Sequence, residues 1–275
     1  MGIINITPDS FSGDGLLIPR PKNSNKNFTA QAVRLANRLI RNGADIIDLG
    51  GESTRPGARP ISAAEEIRRI IPAVKILART SSIPISVDTY KSAVAKEALE
   101  AGAHIINLIQ GVRPEKTLLK MIARYEAAIV LMHIRGTPQT MQRRIHYRDV
   151  IDDIRKELKK SVEICLEMGI KSDRIIIDPG IGFGKTVEHN LEILNRLAEF
   201  QNLKCPILIG TSRKSFIGKV LNEKPGQRLL GTAATVAAAV FNGAHIVRVH
   251  DVKAARQISQ MTDAILHPEN YSQIS

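Results

Sequence analysis

Tryptophan is absent from the 275-residue chain, cysteine occurs twice, and aromatic residues make up 4% of it. Each scarcity removes a class of function. Basic segments such as Arg155-Lys156 and Lys159-Lys160 lack the interleaved rings on which single-stranded nucleic acid stacks. Cys165 and Cys205 have neither CxxC spacing nor a histidine close in sequence, which argues against a zinc site and for buried thiols in a reducing compartment. No apolar run approaches membrane-spanning length, so no membrane partner is expected. The opening residues carry no basic leader before a long apolar stretch, so no signal peptide is expected and the cytoplasm is the default location. What is plentiful is positive charge. A formal net charge of +12 suits an anionic partner, and a phosphorylated small molecule ranks ahead of nucleic acid or a membrane surface.

Short β-rich apolar runs alternate with longer stretches of helical periodicity, the mark of βαβ units around a parallel sheet. Eight runs fall at roughly 2–7, 44–50, 83–88, 103–108, 128–133, 174–178, 206–211 and 244–250. The intervening helices are predicted at about 29–42, 62–80, 91–101, 115–126, 148–168, 187–200, 226–242 and 252–266. Eight such pairs favour a single closed (β/α)8 TIM barrel over residues 1–275 rather than an open sheet of five or six strands. The phrases Asn42-Gly-Ala-Asp-Ile-Ile47, Ala101-Gly-Ala-His-Ile-Ile106 and Asn242-Gly-Ala-His-Ile-Val247 each read as a glycine ending a helix and feeding a strand.

In a barrel the strand ends that lead into the βα loops build the active site. Here every run ends in polar residues: Asn5, Asp48, Asp88, Asn107, His133, Asp178, Ser212-Arg-Lys214, and Arg248 with His250. A buried polar residue on its own is more often a satisfied core residue than a catalyst, but eight polar strand ends on one rim point to a site. Alternation puts Ser86 with Asp88, Ile176 with Asp178, and Arg248 with His250 on shared faces. Convergent carboxylates and cations in an apolar mouth fit a flat polar heterocycle joined to an anionic group. Asp88 has an alternative as the N-cap of the helix that follows it. Gly210-Thr-Ser-Arg-Lys-Ser215 closes the seventh run and opens a helix, a backbone site for an anion. Asp178-Pro-Gly-Ile-Gly-Phe-Gly-Lys-Thr186 ends like a phosphate-binding loop but has Pro179 where the first glycine belongs. Its glycines are expected to let the backbone pass close to a ligand or turn tightly, with Phe183 as a packing wall and Lys185 solvated.

Taken together, Asn5-Ile-Thr-Pro-Asp-Ser-Phe11, Gly50-Gly-Glu-Ser-Thr-Arg-Pro-Gly57, Ile85-Ser-Val-Asp-Thr89, Leu131-Met-His133, Asp178-Pro-Gly-Ile-Gly-Phe-Gly-Lys185, Ser212-Arg-Lys-Ser215 and Val247-Arg-Val-His-Asp251 resemble, in order and over nearly the whole chain, the dihydropteroate synthase family. The resemblance implies a transferase of folate synthesis that joins a pterin pyrophosphate to p-aminobenzoate, works with Mg²⁺, and forms a homodimer. It implies a pterin pocket of Asp88, Asn107, Met132, Asp178, Phe183, Gly210 and Lys214, with Arg248 against the ring. Asn5, Arg248 and His250 are expected to hold the pyrophosphate and its metal, with Asn5 the metal ligand. Thr54, Arg55, Pro56 and Ser212 are expected on the p-aminobenzoate side, lined by Phe183 and Lys214. Asp88, Lys214 and Arg248 carry the catalytic roles in this reading, and no protein nucleophile is required.

Three features depart from the family pattern. Leu108 follows Asn107 where the family usually has Asp, and alternation turns it away from the pocket. Ser12-Gly-Asp14 replaces the usual Asp-Gly, and a longer insertion reaches Phe28. Loops 5–28 and 51–60 are expected to order when Mg-pyrophosphate is present. Rival readings are a pterin-dependent methyltransferase of the same superfamily, a catalytically silent pterin-binding protein, and a basic nucleic-acid binder; Arg55 and Ser212-Arg-Lys214 favour the synthase.

Overall fold

Three αβ turns are built alike. Gly43, Gly102 and Gly243 have φ of 92°, 101° and 92°, a conformation that costs glycine nothing and L side chains a good deal, so each ends its helix and feeds the next strand. Around these turns a computed structural model describes residues 1–7, 25–53, 58–110, 114–137, 140–142 and 145–272. The order is β1 (Gly2–Asn5), α1 (Asn25–Arg41), β2 (Ile47–Gly50), α2 (Ala63–Thr80), β3 (Ile85–Asp88), α3 (Ser92–Glu100), β4 (Ile105–Leu108), α4 (Lys116–Arg124), β5 (Ala128–Met132), α5 (Val150–Glu167) and β6 (Ile175–Asp178). There follow α6 (Val187–Asn195), β7 (Leu208–Ile209), α7 (Ser215–Leu221), α8 (Leu229–Phe241), β8 (Ile246–Val247) and α9 (Val252–Leu266).

Strands β1 to β6 pair in sequence and in parallel, and β7 pairs with β8. Parallel bridges Ile177↔Ile207 and Gly2↔Val249 join the two sheets at both seams, closing the ring of the expected (β/α)8 barrel. The last two strands are shorter than the runs 206–211 and 244–250 suggested. Pro206 lies at the β6–β7 seam, where its carbonyl accepts from Ile177 N at 2.9 Å but it has no N–H to return.

Alternation sorts the strand residues into two sets. Ile47, Leu49, Ile85, Val87, Ile106, Leu108, Ile129, Leu131, Ile175 and Ile177 pack with helix residues such as Ile70, Val94, Leu118 and Ile154 in the main core. The other face fills the barrel. Its lower part is an apolar cluster of Met1, Ile105, Val130, Ile176 and Leu208, with Ile46, Ala128 and Ile246 against it. Two residues further along the same strands, this inner face carries Asp48, Asn107, Met132, Asp178, Gly210 and Arg248. The change from apolar to charged along one face is what places a site at the C-terminal end of the strands.

Two helices differ from expectation. Helix α7 is additional to the eight predicted; it ends at Asn222, whose φ of 56° is the left-handed conformation that asparagine tolerates at a helix end. The stretch predicted as 187–200 divides into α6 and a 3-10 turn over Leu197–Leu203.

Candidate active site

Asp48 lies at the centre of the charged layer and is fully buried. It accepts from Ser86 Oγ at 2.5 Å, Asn107 Nδ2 at 3.3 Å and Arg248 Nε at 2.7 Å, so residues of β3, β4 and the end of β8 converge on one carboxylate. Arg248 Nη2 also donates to Asp88 Oδ2 at 2.8 Å. Removing ions from water is costly, and it is offset here because the two carboxylates and the guanidinium satisfy one another. Burial raises Asp88 to about 7, Arg248 opposing the shift and Asp48 adding to it. Asp88 is therefore not a helix cap: Lys91 occupies the N-cap of α3 and makes no side-chain capping bond.

Asp178 ends β6 and accepts from Gly180 N at 2.7 Å through Oδ1. Burial raises its pKa, against the pull of Lys214. Among the described residues its second carboxylate oxygen has no protein donor, and neither has the side-chain carbonyl of Asn107 an assigned partner. Lys214 is the N-cap residue of α7, and its ammonium turns into the mouth, donating to the Ile181 carbonyl and standing 4.7 Å from the centre of the Phe183 ring. Burial lowers it to about 8, with Asp178 opposing. Met132 and Phe183 meet in a small apolar cluster with Ile109, Ile134 and Met141. The mouth thus offers carboxylates, an amide and a lysine beside an apolar wall.

The remaining expected residues lie around this centre. Gly210 stands across from the Arg248 backbone, and Ser212 Oγ lies 3.0 Å from His250 Nδ1 while also accepting from His250 N at 3.2 Å. Asn5 ends β1 beside Gly50, and among the described residues its amide has no hydrogen-bond partner. Thr54, Arg55 and Pro56 lie outside the described residues, as do 8–24 of the first loop. Leu108 packs in the main core, turned from the mouth as alternation required.

The segment after Asp178 is close-packed backbone, as its glycines suggested. Gly180 has φ of 73°, and a Cβ there would fall on the His133 carbonyl oxygen. Lys185 departs from expectation. It is buried, with Nζ 3.0 Å from His133 Nδ1 and 2.9 Å from the Phe183 carbonyl, because the glycine turns fold the chain back over it. Asp48 was visible as a strand-end carboxylate, yet only its phase with Ser86 and Asp88 on the inner face signals its role as the hub. His133 was visible as a polar strand end and Lys185 at the end of the glycine-rich segment, but nothing local signalled that the two meet.

A sequence profile described as pterin binding enzyme matches residues 1–250. A dihydropteroate synthase of Synechocystis sp. is 46% identical over 266 residues, covering 96% of this chain and 89% of the relative. Among solved structures, a Yersinia pestis dihydropteroate synthase in a sulfonamide drug complex superposes with a TM-score of 0.89 at 40% identity, covering 96% of this chain and 93% of that one. A Xanthomonas albilineans dihydropteroate synthase with 4-aminobenzoic acid does so with a TM-score of 0.85 at 38% identity, covering 96% and 92%.

Proposed function

This chain belongs to the pterin binding enzyme family and within it to the dihydropteroate synthases, and from that membership we propose how its own residues perform the condensation. The reaction joins 6-hydroxymethyl-7,8-dihydropterin pyrophosphate to p-aminobenzoate. The bond from the pterin methylene carbon to the pyrophosphate oxygen breaks, its electron pair leaves with pyrophosphate, and the amine lone pair forms the new C–N bond and then gives up a proton.

The observation that carries this reading is the open acceptor on buried Asp178, in one layer with Asn107 and Lys214. A pterin presents N–H donors and a ring carbonyl along one edge, which matches a carboxylate oxygen, an amide and an ammonium. Among the described residues the mouth holds the carboxyl groups of Asp48, Asp88 and Asp178 against Arg248 and Lys214, an excess of one negative charge when all five are ionised. An anionic lining stabilises the positive charge that spreads through the ring as pyrophosphate departs. Arg248 keeps Nη1 without a partner among the described residues, a donor for the leaving group, and His250 stands beside Ser212 on the same rim. Met132 and Phe183 give the ring an apolar wall and Gly210 gives it room; to the p-aminobenzoate side this reading assigns Thr54, Arg55, Pro56 and Ser212, lined by Phe183 and Lys214.

Mg²⁺ is the metal of this reading. Asn5, whose amide has no hydrogen-bond partner among the described residues, offers it a neutral oxygen donor. That suits an ion which keeps several waters and takes most of its ligands from substrate phosphates. Held by Asn5, it would neutralise charge on the departing pyrophosphate.

The assembly in this reading is a homodimer. Leu229, Leu230 and Phe241 of α8 and Met261 and Ile265 of α9, two helices that pack together, are exposed large apolar side chains of the kind partners cover. No described helix is long and apolar enough to cross a membrane, and two unpaired buried thiols suit the cytoplasm. Pyrophosphate release tests the activity: it requires both substrates and stops when either is omitted. Release without p-aminobenzoate at the full rate would mean hydrolysis and contradict the condensation.

A further inference from the structure

The loop 179–184 is fastened on two sides by buried amines. On the mouth side Lys214 donates to the Ile181 carbonyl and lies over the Phe183 ring. Behind the loop, Lys185 donates to the Phe183 carbonyl at 2.9 Å, meets His133 Nδ1 at 3.0 Å and feels the Asp178 charge. His133 is fully buried, and its other nitrogen stands 3.4 Å from Glu157 Oε2 of α5. With Nδ1 accepting from Lys185, the ring proton falls on Nε2, close to that carboxylate but without a hydrogen bond to it. Burial and the Lys185 charge hold His133 down at about 4, so the ring stays neutral and keeps this tautomer.

The rest of the loop leaves little slack. Gly182 N donates to Asn190 Oδ1 at 2.7 Å, Tyr147 Oη donates to the Gly184 carbonyl at 3.0 Å, and Gly180 packs so close to the His133 carbonyl that no Cβ fits there. Phe183 is the side chain whose position then depends on how its own carbonyl is held. Burying an amine among backbone carbonyls costs desolvation, which the Asp178 charge offsets in part.

We propose that Lys185, oriented by His133 and behind it Glu157, is a positioning residue that fixes Phe183, and through the loop Lys214, for the aromatic amine substrate. It acts through the loop and touches no substrate. The inference rests on the assignment of Phe183 and Lys214 to both substrates: they line the p-aminobenzoate side, whereas the pterin is held as well by Asn107 and Asp178, which their own strands fix.

The test separates the two substrates. In Lys185→Met the stem remains and the donors are lost; KM for p-aminobenzoate should rise about tenfold, while affinity for an unreactive pterin changes less than about twofold. His133→Asn puts an amide oxygen near the place of Nδ1 and should keep KM for the amine within about threefold of wild type, whereas His133→Leu should reproduce Lys185→Met. A folded Lys185→Met with wild-type KM, or with pterin and amine binding weakened alike, would overturn the proposal. If that variant does not fold, equal amine KM values in His133→Asn and His133→Leu overturn it instead. Wild-type turnover measured in the same assay tests the condensation separately, so its failure is distinguishable from failure of the positioning role.

Discussion

At the scale of single residues the charged layer is a balance between desolvation and pairing. Asp88 is the member whose protonation changes near neutrality, because burial raises it to about 7 from an ordinary value of 3.8. The folded protein then holds this proton more tightly than the unfolded chain does. The stability associated with it is present below about pH 4 and is lost as pH rises through about 7. Asp88→Asn removes the titration, so wild type should lose roughly 1–3 kcal/mol relative to the variant between pH 5 and pH 8, read from urea midpoints. Parallel pH profiles would show that Asp88 titrates in the folded state as it does in the unfolded chain. Arg248 cannot relieve the strain of three carboxylates alone, and Lys214, itself lowered to about 8 by burial, supplies the second positive charge.

At the scale of elements, the turn after β6 shows how backbone conformation builds a site. Gly180 combines a φ of 73° with a contact against the His133 carbonyl that no Cβ can share. Gly180→Ala should therefore cost about 1–3 kcal/mol in urea denaturation and also displace the N–H that Asp178 accepts. A loss of a few tenths of a kcal/mol would mean that the turn adapts without strain. The three αβ glycines and the alternating runs made the barrel legible in the sequence, because both are local consequences of φ and of the two-residue strand period. Asp88, Asn107, Asp178, Lys214 and Arg248 were legible for the same reason, as polar residues at strand ends in a fold whose site lies there. Lys185 was misjudged as solvated: its burial depends on three glycine turns folding the chain onto His133, from a strand 52 residues away. The strand period puts Asp48 on the inner face, but the convergence of Ser86, Asn107 and Arg248 on it depends on tertiary placement.

At the scale of the whole molecule two properties remain outside the barrel mouth. The exposed apolar face of α8 and α9 includes Leu230 at 81% and Met261 at 61% exposure, values that a partner's surface would reduce. Leu230→Lys combined with Met261→Lys should halve the mass seen by light scattering while the circular dichroism of the barrel persists. An unchanged mass would place the dimer contact elsewhere or leave the chain monomeric. The net charge of +12 suits capture of an anionic pyrophosphate substrate, and kcat/KM for it should fall with added salt. The central claim is narrower than either: the carboxylate at the end of β6 reads the pterin. Calorimetric titration of an unreactive pterin into wild type and Asp178→Asn tests it most directly. Loss of a charged hydrogen-bond partner of about 1.5–3 kcal/mol predicts affinity weakened by roughly 10-fold to 150-fold in the folded variant. Equal affinity in the two proteins would contradict the account.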